Sequence, residues 1–152
     1  MGSIVTELLQ NRILITGAAA WGISQVLKTL IHLFINHKIV WERLVGDGGM
    51  PSSHSATVTS VAVACGIHCG WGSPVFAVAF FLATIVMHDA RGVRRETGKQ
   101  AEVINDMMEW FAELGKAEMT PEQTLKEFVG HTPLQVFAGC LLGILVAVLM
   151  NV

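Results

Sequence analysis

The sequence predicts an all-α fold, a small polytopic membrane bundle of about four spans with a cytoplasmic amphipathic helical insertion. Three observations predict it. Of the 152 residues, 52% are hydrophobic and only 14% are charged, against about 25% charged in a typical soluble domain. Mean hydropathy is +0.54. The apolar residues fall in blocks, at about 13–35, 55–70, 75–87 and 134–152. That combination marks a membrane protein before any motif is read. The length suits one compact unit, so residues 1–152 are expected to form a single membrane domain.

Each element has its own signals. The 13–35 block is long enough to cross a bilayer, which takes about 20 apolar residues. The 55–70 and 75–87 blocks flank a Trp71-Gly72-Ser73-Pro74 turn. Both are short, so they are expected to extend into their flanks, to tilt, or to form a hairpin packed within the bundle. The stretch at 89–130 is polar. Within it Ala101, Ile104, Met107, Met108, Phe111 and Leu114 follow helical spacing, and Gly115 is a stop signal. Such a helix either lies on the membrane surface or covers the bundle. Thr120, Pro121 and Gln123 announce a second short helix ending at Gly130.

Charge sets the expected topology. Lys38, Arg43, Arg91, Arg94, Arg95, Lys99, Lys116 and Lys126 fall in the loops at 36–54 and 89–133, whereas Arg12 alone marks the other side and Lys28 lies within the first span. The positive-inside rule puts those loops in the cytoplasm. The chain is therefore expected to be an integral protein of the cell membrane or its equivalent. A net charge of −2 points to no nucleic-acid partner. With Glu7 and Arg12 before the apolar run and no clear small-residue cleavage site, no cleavable signal peptide is expected. Cys65, Cys69 and Cys140 lie in apolar stretches, and their odd number argues against a disulfide framework. Cys65, His68 and Cys69 make no complete ligand set, so packing is the preferred reading.

The four-span topology brings several polar features to one face. Lys28 is an ionisable residue inside a span, which makes it either a snorkelling lysine or a functional one. The run from Gly48 and Gly49 through Met50, Pro51, Ser52 and Ser53 to His54 opens a helix. Ser52 or Ser53 can cap that helix, and its free N–H groups suit an anion. Asp89, Arg91, Arg94 and Arg95 follow the third block. Arginines there serve as membrane anchors or bind phosphate through a planar fork of donors, and Asp89 could orient one of them. Thr132, Pro133 and Gln135 spell a capping box. That box leaves His131, immediately before it, unexplained.

These residue types suit phosphoryl transfer. A phosphomonoester is a dianion, and Lys, Arg and backbone N–H groups neutralise it. One His can protonate the leaving alkoxide, and a second can accept the phosphoryl group covalently. No acidic cluster of the kind that holds Mg²⁺ is obvious, so the inventory favours metal-free transfer with no cofactor.

The chain resembles the divergent branch of the type 2 phosphatidic acid phosphatase superfamily, related to vanadium-dependent haloperoxidases. The resemblance rests on Gly49 through Ser55, on Asp89 and Ala90 with Gly92 through Arg95, on Gly98 with Gln100 and Ala101, and on Gly130 and His131 with Pro133. It implies a helical bundle and a phosphohistidine mechanism. By that resemblance His131 is the nucleophile and His54 the proton donor. Lys28, Ser52, Ser53, Arg94 and Arg95 hold phosphate, Gln135 orients His131, and Asp89, Gly49 and Gln100 support the site. Two departures stand out. Leu125 occupies the position six before His131 where the superfamily has arginine, and Gln135 replaces an acid.

The function expected from these residues is hydrolysis of a lipid phosphate or diphosphate at the membrane. The rival is a non-catalytic protein of the same fold that binds anionic lipid or serves as an assembly partner, and Gln135 favours it. A homo-oligomer fits so few spans, with Gly139 and Gly143 the first candidates for close helix packing. Single cysteines placed in 36–54 or 89–130 are expected to react with a membrane-impermeant thiol reagent only after cells are opened. Labelling of intact cells would reverse the topology.

Overall fold

The computed structural model describes residues 2–37, 49–114, 125 and 130–152, and of Gly2 and Val93–Arg95 the backbone alone. It is all-helical among the described residues. The elements in order are α1 (Gly2–Gln10), α2 (Arg12–Asn36), α3 (Ser53–Cys69), α4 (Pro74–Arg91), α5 (Val93–Glu113) and α6 (Pro133–Asn151). Three helical stretches are long and apolar enough to cross a membrane: α2, the Pro74–Glu113 run that carries α4 into α5, and α6. α3 has 17 residues and rises about 25 Å, short of a hydrocarbon core about 30 Å thick. It packs against α2, α4 and α6 and so forms the centre of the bundle.

The helix ends follow local chemistry. Asn11 interrupts the chain after α1 and caps α2, its Oδ1 accepting from the N–H groups of Ile13 and Leu14 at 3.1 Å. Ser52 caps α3, accepting from Ser55 N–H at 3.3 Å. Ser73 caps α4 with Pro74 at the first helical position. α6 opens on the full capping box, Thr132 with Gln135. The 75–87 block gains a turn beyond Met87, because His88, Asp89, Ala90 and Arg91 all tolerate helix and nothing breaks it before Gly92.

Two elements differ from the sequence reading. α1 is an additional short helix, with Ile4, Val5, Leu8 and Leu9 exposed along it. α5 begins at Val93, not near Ala101, so most of the first part of the 89–130 stretch is helical. Charged side chains with good helix propensity carry it through that polar segment. An exposed Glu96–Lys99 pair at 2.7 Å lies on its surface. The Gly115 stop and the short helix expected at 120–130 lie outside the described residues.

The interior is built of small residues. Thr16, Ser24, Ser52, Ser55 and Ser60 are the largest fully buried side chains, with Ala20, Ala56 and Ala64 beside them. Large apolar residues such as Phe34, Ile35, Phe81 and Leu149 face outward. Lipid is as apolar as leucine, so burying leucine gives no advantage, and small side chains let backbones approach. Several buried hydroxyls bond to their own helix: Ser24 donates to Trp21 O and Ser60 to Thr57 O, at 2.7 and 2.8 Å.

The closest approach is α6 on α3. A Cβ at Gly139 would lie 2.5 Å from Ser52 O, and one at Gly143 would lie 2.5 Å from Ala56 O. The glycine pair marked by the sequence thus packs within the chain. Gly139→Leu or Gly143→Leu is expected to cost at least about 1–3 kcal/mol and to lower the melting midpoint in detergent. Gly22→Ala, at a position with nothing within 4 Å, is the control and should leave the midpoint in place. Equal midpoints for all three variants would refute the α3–α6 contact.

Candidate functional site

Close packing of α3 and α6 sets their first turns side by side and parallel. Backbone bonds tie the flanking segments to them. Ser52 N–H donates to Gln135 O at 3.1 Å, and His131 N–H donates to Ala90 O at 3.0 Å. The starts of α3 and α6 and the end of α4 therefore meet at one end of the bundle. Two helix N-termini aimed at one region concentrate positive potential there. Gly49, with φ +85°, turns the chain just before α3 in a conformation that glycine adopts at little cost.

His54 lies in the first turn of α3 and His131 just before α6. Their ring centroids are 5.7 Å apart in an edge arrangement. His131 is 4% exposed and His54 is half-buried. Lys28, 3% exposed, projects from α2 into the protein. Ser52 and Ser53 are buried. The Ser55 hydroxyl donates to Ser52 Oγ at 3.1 Å, and the Ser53 hydroxyl donates to Gln25 Oε1 at 3.3 Å.

The capping box at α6 also contacts the His131 ring. Gln135 Oε1 accepts from Thr132 N–H at 2.9 Å, which fixes the side-chain amide with its oxygen inward. The same oxygen lies 3.3 Å from His131 Nδ1. An amide oxygen only accepts, so this contact is a hydrogen bond when Nδ1 carries the proton. Gln135 thereby favours the Nδ1–H form of the His131 ring without adding charge.

A cleft of about 420 Å³ opens beside these residues. Its walls are Lys28, Ile31, His32, Ile35 and Asn36 of α2, then Gly49 and Met50, and Thr132, Leu134 and Gln135. The two histidine rings are not part of that lining, and His131 connects to it through Gln135. A second hollow, on the first turns of α4, is wholly apolar.

The remaining candidates sit as follows. Asp89 is half-buried in the last turn of α4, next to the Ala90 carbonyl that holds His131. Arg94 and Arg95 occupy the first turn of α5, with side chains outside the described set. Gln100 is exposed on α5 and is not in the cleft lining. Leu125, exposed, bonds through its backbone to both ends of the Asn105 amide at 2.9 Å. Gln25 and His32 are additions to the sequence reading. Their signal was the polar series Gln25, Lys28, His32, Asn36 on an otherwise apolar helix, spaced to share one face. Of Cys65, His68 and Cys69 on α3, His68 places its Nε2 2.7 Å from Asn151 Oδ1. Among the described residues no group of three or more His, Cys, Asp or Glu could hold a metal ion.

Residues 9–146, nearly the whole chain, match the divergent PAP2 family. The chain belongs to that family. It is also 40% identical, over 95% of its own length and 96% of the relative's, to the uncharacterized membrane protein YuiD of Bacillus subtilis (strain 168). No solved structure matches. Membership of the divergent PAP2 family agrees with the helical membrane bundle described above.

Gln135→Leu is expected to remove both acceptor contacts, to cost about 1 kcal/mol through the lost cap, and to release the His131 tautomer. Nitrogen-15 NMR of the imidazoles would read this as a mixed Nδ1–H and Nε2–H population in the variant. A single unchanged tautomer would show that another group holds the ring.

Proposed function

We propose that the protein hydrolyses the phosphate of a membrane lipid through a phosphohistidine on His131. The observation that carries this is the pair of histidines at 5.7 Å, where two helix starts converge, with Lys28 in the adjoining cleft. Binding a lipid phosphate requires cations and N–H donors. It does not require a second histidine held against a helix start by a side-chain amide.

In the proposed reaction His131 Nε2 attacks the terminal phosphorus as its P–O bond to the leaving group breaks, an ester bond in a monoester or the anhydride bond in a diphosphate. The electron pair leaves on the alkoxide or lipid-phosphate oxygen, and the alkoxide takes a proton from His54. Water then attacks the phosphohistidine, His54 takes its proton, and inorganic phosphate departs. Lys28, the Ser52 and Ser53 region, the first N–H groups of α3 and α6, and Arg94 and Arg95 neutralise the phosphoryl oxygens. Gln135 keeps the His131 ring in the reactive tautomer. Asp89 and Gly49 shape the surrounding backbone, and Gln100 is a supporting residue by resemblance only. The site is proposed to face the cytoplasm and to act without a metal. The substrate candidates are phosphatidylglycerophosphate, phosphatidic acid and an isoprenoid diphosphate.

The second reading, an anionic-lipid-binding or assembly protein of the same fold, is favoured by one observation. Gln135 brings no negative charge to stabilise a positive His131.

The test is phosphate release by the purified protein in mild detergent, with chelator throughout, from those three lipids. Release is expected to persist with chelator. It should fall at least about 10³-fold in His131→Ala and about 10²–10⁴-fold in His54→Ala. No release from any lipid by folded protein that still binds them would establish the second reading.

A further inference from the structure

The cleft beside the histidines is larger than a single phosphate needs. Its volume of about 420 Å³ is in the range of sites that hold a whole small ligand. Lys28 and His32 stand four residues apart on one wall, so they are separated by about 6 Å along the helix axis. His32 is half-buried. No described residue makes a hydrogen bond to its ring. Its backbone oxygen accepts from Asn36 Nδ2 at 3.3 Å, which steadies the next polar residue along the same wall.

The rim is apolar. Ile35 is 71% and Leu134 65% exposed, with Met50 between the polar wall and the outside. The cleft therefore opens on the flank of a membrane bundle. A ligand with an acyl or isoprenyl chain fits that opening, with the chain over the rim and the headgroup along α2. A lipid with one phosphate at Lys28 would leave the His32 donor on the same wall unused.

We propose that His32 forms a subsite for a second phosphoryl group, so that the cleft prefers lipids carrying two phosphoryl groups over lipids carrying one. This rests on the lipid-phosphate reading above. The shared chemistry is two phosphoryl groups within reach of Lys28 and His32. They are joined either directly, as in an isoprenyl diphosphate, or through a glycerol, as in phosphatidylglycerophosphate. A His32 ring N–H donates to an oxygen of the inner group, nearer the rim, while Lys28 holds the outer group that is transferred.

The experiment measures equilibrium binding of short-chain phosphatidic acid, phosphatidylglycerophosphate and an isoprenyl diphosphate to the full chain in lipid nanodiscs. A His131→Ala background prevents turnover. His32→Ala is expected to reduce the affinity ratio of two-phosphate to one-phosphate lipid about tenfold, the loss for one hydrogen bond to a charged group. His32→Gln, which keeps a donor, should recover part of it. The two-phosphate lipid with the larger loss identifies how the groups are joined. A ratio unchanged in His32→Ala for both two-phosphate lipids overturns the subsite. Phosphate release by the protein with His131 intact is read separately. Its absence would defeat the hydrolase reading, while a shifted binding ratio would still support the subsite.

Discussion

The contact of α6 with α3 organises this protein. Gly139 and Gly143 press against the backbone oxygens of Ser52 and Ala56, and no larger residue fits there. Because the two helices run parallel and begin at the same end, the contact aligns their free N–H groups. It also brings the residue before α6, His131, to the first turn of α3, where His54 stands. Parallel packing of helix dipoles is electrostatically unfavourable at close range. Here the same repulsion is what makes the shared end attractive to an anion.

The interior follows from the solvent. A bundle in lipid gains little by burying large side chains, so serine, threonine, alanine and glycine fill the centre and the bulky residues face out. This has a consequence for the site. Short hydroxyl side chains on α3 are in place to bond one another and Gln25 without opening voids. The shortest helix of the bundle after α1, α3, is also the most enclosed, since its neighbours cover it on three sides. Its polar first turn is thereby held within protein, where an uncovered polar group in hydrocarbon would be costly.

Gln135 joins structure to chemistry. As the third residue of a capping box it satisfies Thr132 N–H, and with the same oxygen it contacts His131. An acid at this place would add charge to the imidazole. The amide adds orientation only.

The sequence alone determined a good deal. Blocks of hydrophobicity placed three of the helices within one or two residues at most ends, 13–35 against Arg12–Asn36, 55–70 against Ser53–Cys69 and 134–152 against Pro133–Asn151. It also specified the capping box, because caps depend on residues within one turn. Local pattern was weaker where charge diluted it, as at the start of α5, and in α1, where no signal was read. Only the tertiary structure decided which faces meet. It assigned Gly139 and Gly143 to α3 within the chain, chose Ser52 over Ser53 as the cap, and turned Gln25 and His32 toward the site. Those facts depend on rotation of one helix against another. That rotation is set by summed contacts between residues far apart in the chain, which no local spacing encodes.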